Sequence, residues 1–278
     1  MHSGAQTESP EGDDGPVGGG GRPRAGHVGR SGQTRWRRLA AGLVALVAIV
    51  VVGGAVYFAT PQPELPEAAA AQTSTSEVAF ELEGGRLVFR PTAQPPSVGL
   101  ILYPGGKVSA GAYAPLARAI AAEGYLVEIV PMPLNLAVLG IDRAAAVIEA
   151  HPEIARWAIG GHSLGGAMAA QYAANDERID ALALWAAFSA TDLSDRDLHV
   201  LVAYGSLDTG AAGFVSDERL ANLPPTGTIE VIEGGNHEQM GWYTGQPNDP
   251  PATIARPEQQ ERVIEATVKL LRSLKVPA

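Results

Sequence analysis

The sequence contains no cysteine, and aromatic residues make up only 6% of its 278 positions. Without cysteine, the chain has no disulfide framework, no thiolate nucleophile and no cysteine-type zinc site. This absence is compatible with an oxidising exterior but does not prove one. Catalysis by a cysteine nucleophile is therefore excluded.

Long apolar runs are also scarce, with one exception near the N-terminus. Residues 39–59, LAAGLVALVAIVVVGGAVYFA, are 21 consecutive positions without a charge, enough to cross about 30 Å of hydrocarbon at about 1.5 Å per residue. The alternative is a cleaved signal peptide, and the alanine run 68–71 would allow processing. The apolar core of a signal peptide usually has only about 7 to 15 residues. We therefore predict an uncleaved transmembrane helix, a signal anchor, over residues 39–59.

Charge is distributed unevenly on the two sides of this run. Residues 1–38 carry six arginines against four acids and are otherwise rich in Gly, Pro and Ser, which predicts a disordered cytoplasmic tail. Residues 60–278 carry 14 basic against 26 acidic residues, a net charge of −12. A domain this acidic is not expected to bind nucleic acid or anionic lipid. Because the arginines precede the apolar run, residues 60 onward are expected to lie outside the cell membrane.

The region after the apolar run begins with a change in composition. Residues 60–77 are rich in Pro, Ala and Ser, which predicts a semi-extended, solvated linker. The folded domain is predicted over residues 78–278. It opens with alternating apolar residues at 78–82 and 86–89 on either side of Gly84-Gly85, a pattern typical of an antiparallel hairpin.

From residue 98 onward, short apolar runs alternate with amphipathic stretches. The predicted strands are 98–103, 125–130, 157–160, 181–186, 199–204 and 228–233. The predicted helices are about 112–123, 139–150, 165–175, 216–222 and 257–275. This alternation indicates the α/β class, with a mostly parallel sheet covered by helices on both faces. In such a sheet, ligands bind beyond the carboxyl ends of the strands.

The pentapeptide GHSLG stands between a predicted strand and a predicted helix. It matches the GxSxG elbow, in which Ser163 is held on a strained turn, and Gly161 and Gly165 avoid collisions with the neighbouring elements. The backbone N–H of Leu164, at the helix N-terminus, could then stabilise an oxyanion. The alternative is an inert turn, since the chain has 33 glycines. Its position between strand and helix favours the elbow.

A serine hydroxyl needs a base to attack at neutral pH. Of the six histidines, only His237 lies downstream of Ser163 and directly after the carboxyl end of a predicted strand. The others lie in the tail, at a helix end, in the elbow or at a strand start: His2, His27, His151, His162 and His199. The order serine, acid, histidine supports His237 as the base.

The acid that orients this base is predicted to be Asp208, which directly follows the strand 199–204. Asp217 is a rival, but together with Ser216 it has the pattern of a helix start. Three further acids precede the strand, at its wrong end: Asp192, Asp195 and Asp197.

Two other loops complete the predicted site. The loop YPGGK after strand 98–103 is expected to supply a second oxyanion donor, the amide of Gly106 or Lys107, unless it is only a turn. The segment 241–251 follows the base, and Trp242 or Tyr243 would wall the pocket. The alternative for this segment is an irregular loop packed over the sheet edge.

Five segments, in order, resemble the α/β-hydrolase superfamily, in its compact dienelactone-hydrolase-like form, and more narrowly bacterial alpha/beta hydrolase fold-5 domain proteins. They are YPGGKVSAGAYAPLARAIAAEGYLV, PMPLNLAV, IGGHSLGGAMAAQYA, YGSLDTG and GGNHEQMGWY, and the resemblance covers about residues 78–275. It implies an α/β-hydrolase fold, a catalytic triad of Ser163, Asp208 and His237, and carboxylic-ester hydrolysis. Here YPGG stands where many relatives have HGG or HG.

These observations predict a membrane-anchored serine esterase that acts on a small-molecule ester through an acyl-enzyme, without metal or cofactor. The chain has no long insertion after residue 131 or residue 186 that could form a large cap, which favours small or exposed acyl groups. Thioesterases, lactonases and amidases share this machinery. From another class, the alternative is a non-catalytic binding protein on the same fold.

Overall fold

A computed structural model describes residues 30–274, so the predictions for residues 1–29 and 275–278 lie outside the described residues. Helix α1, Arg30–Ala59, is the first element. Residues 30–38 are therefore helical, although they were predicted as part of the disordered tail. They contain no proline, so a helix formed by the apolar run can extend through them. The helix ends two residues before Pro61, which disfavours helical backbone in the residue before it.

Within α1, the segment Leu39–Ala59 has a mean hydropathy of 2.7. None of its most apolar stretch is buried, and it is long and apolar enough to cross a membrane. The chain divides into two compact units, with the boundary between Val50 and Val51. The described part of the first unit is helical from Arg30, and the second unit holds the end of α1 and the whole sheet.

The sheet has eight strands in the order β1-β2-β4-β3-β5-β6-β7-β8. β1 and β2 form an antiparallel pair, and β2 pairs antiparallel with β4, whereas all other neighbours are parallel. Gly84 and Gly85 both have positive φ in the hairpin turn, as its two-residue loop requires. The strands are Val78–Glu83, Arg86–Pro91, Val98–Tyr103, Leu126–Ile129, Arg156–His162, Ile179–Trp185, His199–Gly205 and Thr228–Ile232.

Helices cover this sheet, and the predicted α/β fold is confirmed. Helices α3 and α8 pack against each other and the sheet, and α5 packs against β5 and β6. The helix predicted from residue 139 begins only at Arg143, because residues 133–139 form two 3₁₀ turns. After α1, the helices are Pro66–Ala70 (α2), Ala114–Ala122 (α3), Arg143–Ala150 (α4), Leu164–Asn175 (α5), Ala211–Phe214 (α6), Asp217–Ala221 (α7) and Arg256–Arg272 (α8).

The segment predicted as a solvated linker packs against the domain instead. The Leu65 N–H donates to the Trp242 carbonyl at 2.9 Å, and Glu64 forms a β-bridge with Tyr243. Ala68 and Ala71 are fully buried, and α2 contacts α3. Small alanine side chains let this segment lie close to the domain surface, which composition alone did not indicate.

Candidate active site

Ser163 occupies the turn between the central strand β5 and helix α5. Its φ of 53° and ψ of −122° are unusual for a residue with a side chain. The Ser163 N–H donates to the Trp185 carbonyl of β6 at 2.9 Å, which ties the turn to the neighbouring strand. This strained strand-to-helix turn has the geometry of a nucleophile elbow.

The glycines on either side of Ser163 are required by close backbone contacts. A Cβ at Gly161 would lie 2.5 Å from the Tyr103 carbonyl oxygen. One at Gly165 would lie 2.2 Å from the same oxygen and 2.4 Å from that of Pro104. The turn therefore packs directly onto the end of β3, and any side chain at these two positions would push it away.

Asp208 and His237 come from the loops after β7 and β8, and their side chains meet. His237 Nδ1 lies 2.6 Å from Asp208 Oδ2, and Asp208 Oδ1 accepts the Gly210 N–H at 2.7 Å. The Asp208 side chain is only 2% exposed, so these bonds replace water around the carboxylate. The two loops can approach because β7 ends in Gly205, where a Cβ would lie 2.2 Å from the Gly235 backbone. The rival acid Asp217 lies in the first turn of α7.

Two side chains that the sequence did not single out hold the backbone around His237. Asp249 accepts the N–H groups of His237 at 3.1 Å and of Glu238 at 2.7 Å. Gln259, fully buried on α8, accepts the Asn236 N–H at 3.0 Å and donates to the Asn236 carbonyl at 2.7 Å. One signal could have revealed Gln259, since it lies four residues before the buried Val263 on the same helix face.

Burial raises the pKa of Asp249, and the backbone N–H groups of Glu238 and His237 oppose that shift. The loop that carries His237 is thus fixed on one side by a carboxylate and on the other by a buried amide.

The loop after β3 has one backbone amide placed beside the elbow. The Gly105 N–H donates to Tyr113 Oη at 3.0 Å, and the Lys107 N–H donates to the Asn135 carbonyl at 2.9 Å. Neither bond involves Gly106, where a Cβ would lie 3.5 Å from the Leu164 side chain. Of the two residues predicted to supply an oxyanion donor, Lys107 already has its amide bonded, whereas Gly106 lies against the Leu164 side chain.

His162, next to the serine in sequence, is buried beneath the site. Its Nδ1 lies 2.8 Å from Tyr113 Oη, and its ring centroid is 4.4 Å from that of His237. Its Nε2 has no hydrogen-bond partner among the described residues. Burial lowers the pKa of His162 well below its ordinary value, and the nearby His237 acts in the same direction. His162 therefore stays neutral and supports Tyr113, which in turn binds the Gly105 amide.

Ser163, Asp208 and His237 line one open cavity of about 460 Å³, together with Leu164. This volume is within the usual range for small-molecule sites. The rest of its wall is mostly apolar and is formed by Ala167, Ala186, Ala187, Phe188, Thr209, Gly210, Phe214, Gln246, Pro247 and Asp249.

Trp242 and Tyr243, expected to wall this pocket, do not line it. Tyr243 is fully buried, and Trp242 Nε1 donates to Gln260 Oε1 at 3.1 Å. Their backbone pairs with the segment 62–65, through the bond from the Leu65 N–H to the Trp242 carbonyl and the bridge between Glu64 and Tyr243. The same loop reaches the cavity a few residues later, through Gln246 and Pro247.

A larger concavity, of about 1020 Å³, lies at the opposite edge of the sheet. Its lining includes Val98 and Arg156, at the starts of β3 and β5, and its described lining residues include no histidine. Because the strands point away from it, the elbow and the loops after β7 and β8 are all at the other edge. The smaller cavity is therefore the candidate active site.

Comparison with known proteins identifies the family of the chain. The model of the alpha/beta hydrolase family matches residues 99–261, a range that contains Ser163, Asp208 and His237. Among solved structures, the chain is similar to a protein from Thermoplasma acidophilum described as a predicted CIB-like hydrolase, with 19% sequence identity and a TM-score of 0.49, over 70% of this chain and 99% of that one. The comparison with curated proteins gives no match. Since the family model covers more than half of the sequence, the chain belongs to the alpha/beta hydrolase family.

Proposed function

We propose that this hydrolase cleaves carboxylic esters through a triad of Ser163, His237 and Asp208. The observation that carries the proposal is the 2.6 Å bond between His237 Nδ1 and Asp208 Oδ2, in the same cavity as a serine with φ of 53°. Nucleophile, base and orienting acid are the three parts that acyl transfer by a hydroxyl requires.

In the first half of the reaction, His237 Nε2 takes the proton of the Ser163 hydroxyl as its oxygen attacks the ester carbonyl carbon. The carbonyl π electrons move to the oxygen, which becomes an oxyanion held by the amides of Leu164 and Gly106. Asp208 stabilises the imidazolium that has formed. As the tetrahedral intermediate collapses, the bond to the alkoxy group breaks, and His237 gives its proton to the leaving alcohol.

In the second half, water replaces the alcohol. His237 takes a proton from the water as its oxygen attacks the acyl-enzyme carbonyl, and a second oxyanion forms in the same place. The bond to Ser163 Oγ then breaks, and the serine regains its proton from His237. The products are a carboxylic acid and the free enzyme.

We also propose that Leu39–Ala59 anchors this domain to the outer side of the cell membrane. The length and hydropathy of the segment support an anchor, and the six arginines before it favour a cytoplasmic N-terminus. Alkaline phosphatase fused after residue 76 should be active in cells, because that enzyme folds only outside the cytoplasm. An inactive but full-length fusion would contradict this orientation.

The activity is tested with the full chain in detergent and p-nitrophenyl acetate as substrate. Ser163→Ala should lower kcat on the order of a thousandfold or more, leaving only the contribution of the oxyanion site. Ser194→Ala, which removes an exposed hydroxyl bonded to Asp192, is the matched control and should keep full activity. Equal rates for Ser163→Ala and the parent protein would overturn the assignment.

A binding protein on the same fold is distinguished by covalent labelling. A fluorophosphonate should label the parent protein at Ser163, and His237→Ala should abolish the labelling because the hydroxyl then lacks its base. Labelling that survives this change would speak against the triad. Parallel assays with matched thioester, lactone and amide substrates would show which acyl derivative is preferred.

A further inference from the structure

One loop of the domain exposes large apolar side chains without any charge. Residues 132–140, MPLNLAVLG (the apolar loop), form two short 3₁₀ turns, and no charged residue occurs between positions 130 and 141. Leu134, Val138 and Leu139 are 39%, 51% and 52% exposed. Three neighbouring aliphatic side chains on an otherwise acidic domain indicate a surface that something covers.

The apolar loop lies beside the last turn of α1. Asn135 Nδ2 donates to the Phe58 carbonyl at 2.9 Å. The Lys107 ammonium, whose backbone is bonded to Asn135, lies 3.3 Å from the centroid of the Tyr57 ring. The loop therefore lies beside the last residues of the apolar run, which belong to the same compact unit as the sheet.

The same region borders the candidate active site. The Gln62 N–H donates to the Lys107 carbonyl at 2.8 Å, and Gln62 Nε2 donates to the Gly245 carbonyl at 3.0 Å. Lys107 follows Gly106 in the loop after β3, which is proposed to hold the oxyanion. Gly245 precedes Gln246 in the cavity wall. Only two residues separate Gln62 from the end of α1, so the rim of the cavity lies close to the end of the apolar helix.

We propose that the apolar loop rests in the outer surface of the lipid bilayer, and that the active site takes esters carried by lipid molecules of that leaflet. The second part rests on the proposed ester hydrolysis, and both parts rest on the proposed anchor. Tyr57 and Lys107 have the chemistry of the membrane interface, where aromatic rings and lysine ammonium groups lie at the level of the headgroups. The acidic domain favours a zwitterionic surface over an anionic one.

The docking of the loop is tested by single-cysteine labelling, for which a chain without cysteine is suited. Full-length Val138→Cys carries a nitrobenzoxadiazole fluorophore and is reconstituted into phosphatidylcholine vesicles that contain lipid with a nitroxide near the headgroup. Ile229→Cys is the matched control, because Ile229 is also apolar and is 46% exposed, but lies near the start of β8 at the opposite edge of the sheet.

We expect the nitroxide lipid to lower the fluorescence at position 138 at least about twofold and to leave position 229 unchanged, since interfacial side chains reach about 5–10 Å into the headgroup region. Equal fluorescence at position 138 with and without nitroxide would overturn the proposal. Blue-shifted emission without quenching would also overturn it, because a protein partner or a second copy would then cover the loop.

The substrate class is tested by comparing two esters in vesicles. The triple variant Leu134→Gln, Val138→Gln, Leu139→Gln should hydrolyse dissolved p-nitrophenyl acetate at the parental rate. Its rate of p-nitrophenyl palmitate cleavage, with that ester held in the bilayer, should fall at least about tenfold. The weakened apolar contact no longer aligns the cavity with the lipid. The double variant Ile229→Gln, Val231→Gln is the control and should keep both rates.

These outcomes separate the two proposals. If the triple variant kept both activities, the proposal of a lipid-borne substrate would be overturned, and the proposed ester hydrolysis would stand. A parent protein that cleaves neither ester would overturn the proposed function, whereas the quenching at position 138 would still decide whether the loop contacts lipid.

Discussion

The proposed nucleophile and its proposed base are held in place by different means. Ser163 is fixed by backbone packing, since the glycines beside it leave no room for a Cβ against the carbonyls at the end of β3. His237 is fixed by hydrogen bonds to side chains. Asp208 bonds its ring, and Asp249 accepts its backbone N–H. Gln259 bonds the backbone of the preceding residue, Asn236. Steric crowding therefore determines one half of the site, and polar contacts from three separate segments determine the other.

The largest effect is expected from breaking the polar half at Asp208. Asp208→Asn keeps the size of the side chain but favours the wrong imidazole tautomer, so kcat for p-nitrophenyl acetate should fall by about 10³–10⁴. Asp249→Asn is the matched control, because Asp249 also accepts hydrogen bonds at His237 but only from backbone. Its kcat should fall about tenfold or less, and equal losses in the two variants would refute the assignment of the acid.

Breaking the steric half should affect folding rather than the chemistry of the groups. In Gly165→Ala the new Cβ would meet two carbonyl oxygens at 2.2 and 2.4 Å, so β5, α5 or the loop after β3 must move. We expect the free energy of unfolding to fall by about 3–5 kcal/mol, measured by denaturant unfolding. Gly213→Ala, where a Cβ meets nothing within 4 Å, should change it by less than about 1 kcal/mol.

The steric half could be predicted from the sequence because it is local. GHSLG, the strand before it and the helix after it lie in one continuous stretch, and the α/β alternation placed that stretch at the carboxyl edge of the sheet. The fold class could be predicted for the same reason, since each strand and helix carries its own pattern of apolar residues. The sheet topology and the family match confirm that prediction.

The polar half could be predicted only where a residue follows a strand end. Asp208 and His237 do so, whereas Gln259 comes from α8, over twenty residues after His237, and Asp249 from an irregular loop. The packing of residues 62–71 was also missed, because backbone pairing between distant segments leaves no mark on composition. That pairing involves Trp242 and Tyr243, which do not line the cavity.

The buried Gln259 side chain on α8 tests whether hydrogen bonds to the backbone before His237 support activity as well as folding. Gln259→Leu would leave the Asn236 N–H and carbonyl without partners, which should lower the free energy of unfolding by about 2–4 kcal/mol. Because Asn236 precedes His237, kcat should also fall about tenfold. Gln260→Leu removes a neighbouring buried amide that bonds Trp242 and Gln239. It should destabilise the fold similarly with kcat unchanged, and a matching loss of kcat would mean that Gln259 has only a structural role.

Tyr113 links the elbow to the loop after β3, because its hydroxyl contacts both His162 and the Gly105 amide. Tyr113→Phe would leave the Gly105 N–H unpaired in a buried position and lower the free energy of unfolding by about 1–3 kcal/mol. The loop after β3, which is proposed to hold the oxyanion, should then be less well positioned, so kcat should fall with KM unchanged. Tyr204→Phe, a mostly buried tyrosine outside the site, should leave kcat at the parental value.

The smallest expected effect concerns pH. Burial lowers the pKa of His162, so below about pH 6.5, the ordinary histidine value, the unfolded chain binds one proton more than the folded chain. The stability that neutral His162 provides is therefore complete above about pH 6.5 and is lost as the pH falls towards the folded-state pKa, by at most about 1.4 kcal/mol per pH unit.

His162→Asn keeps an acceptor for Tyr113 but cannot take up the proton, so the free energy of unfolding should fall less steeply between pH 6.5 and 5 than in the parent protein. Denaturant unfolding across this range measures both slopes. If His162→Asn retained the parental slope, the buried imidazole would take up its proton in the folded protein as readily as in the unfolded chain, and the low pKa assigned to His162 would be wrong.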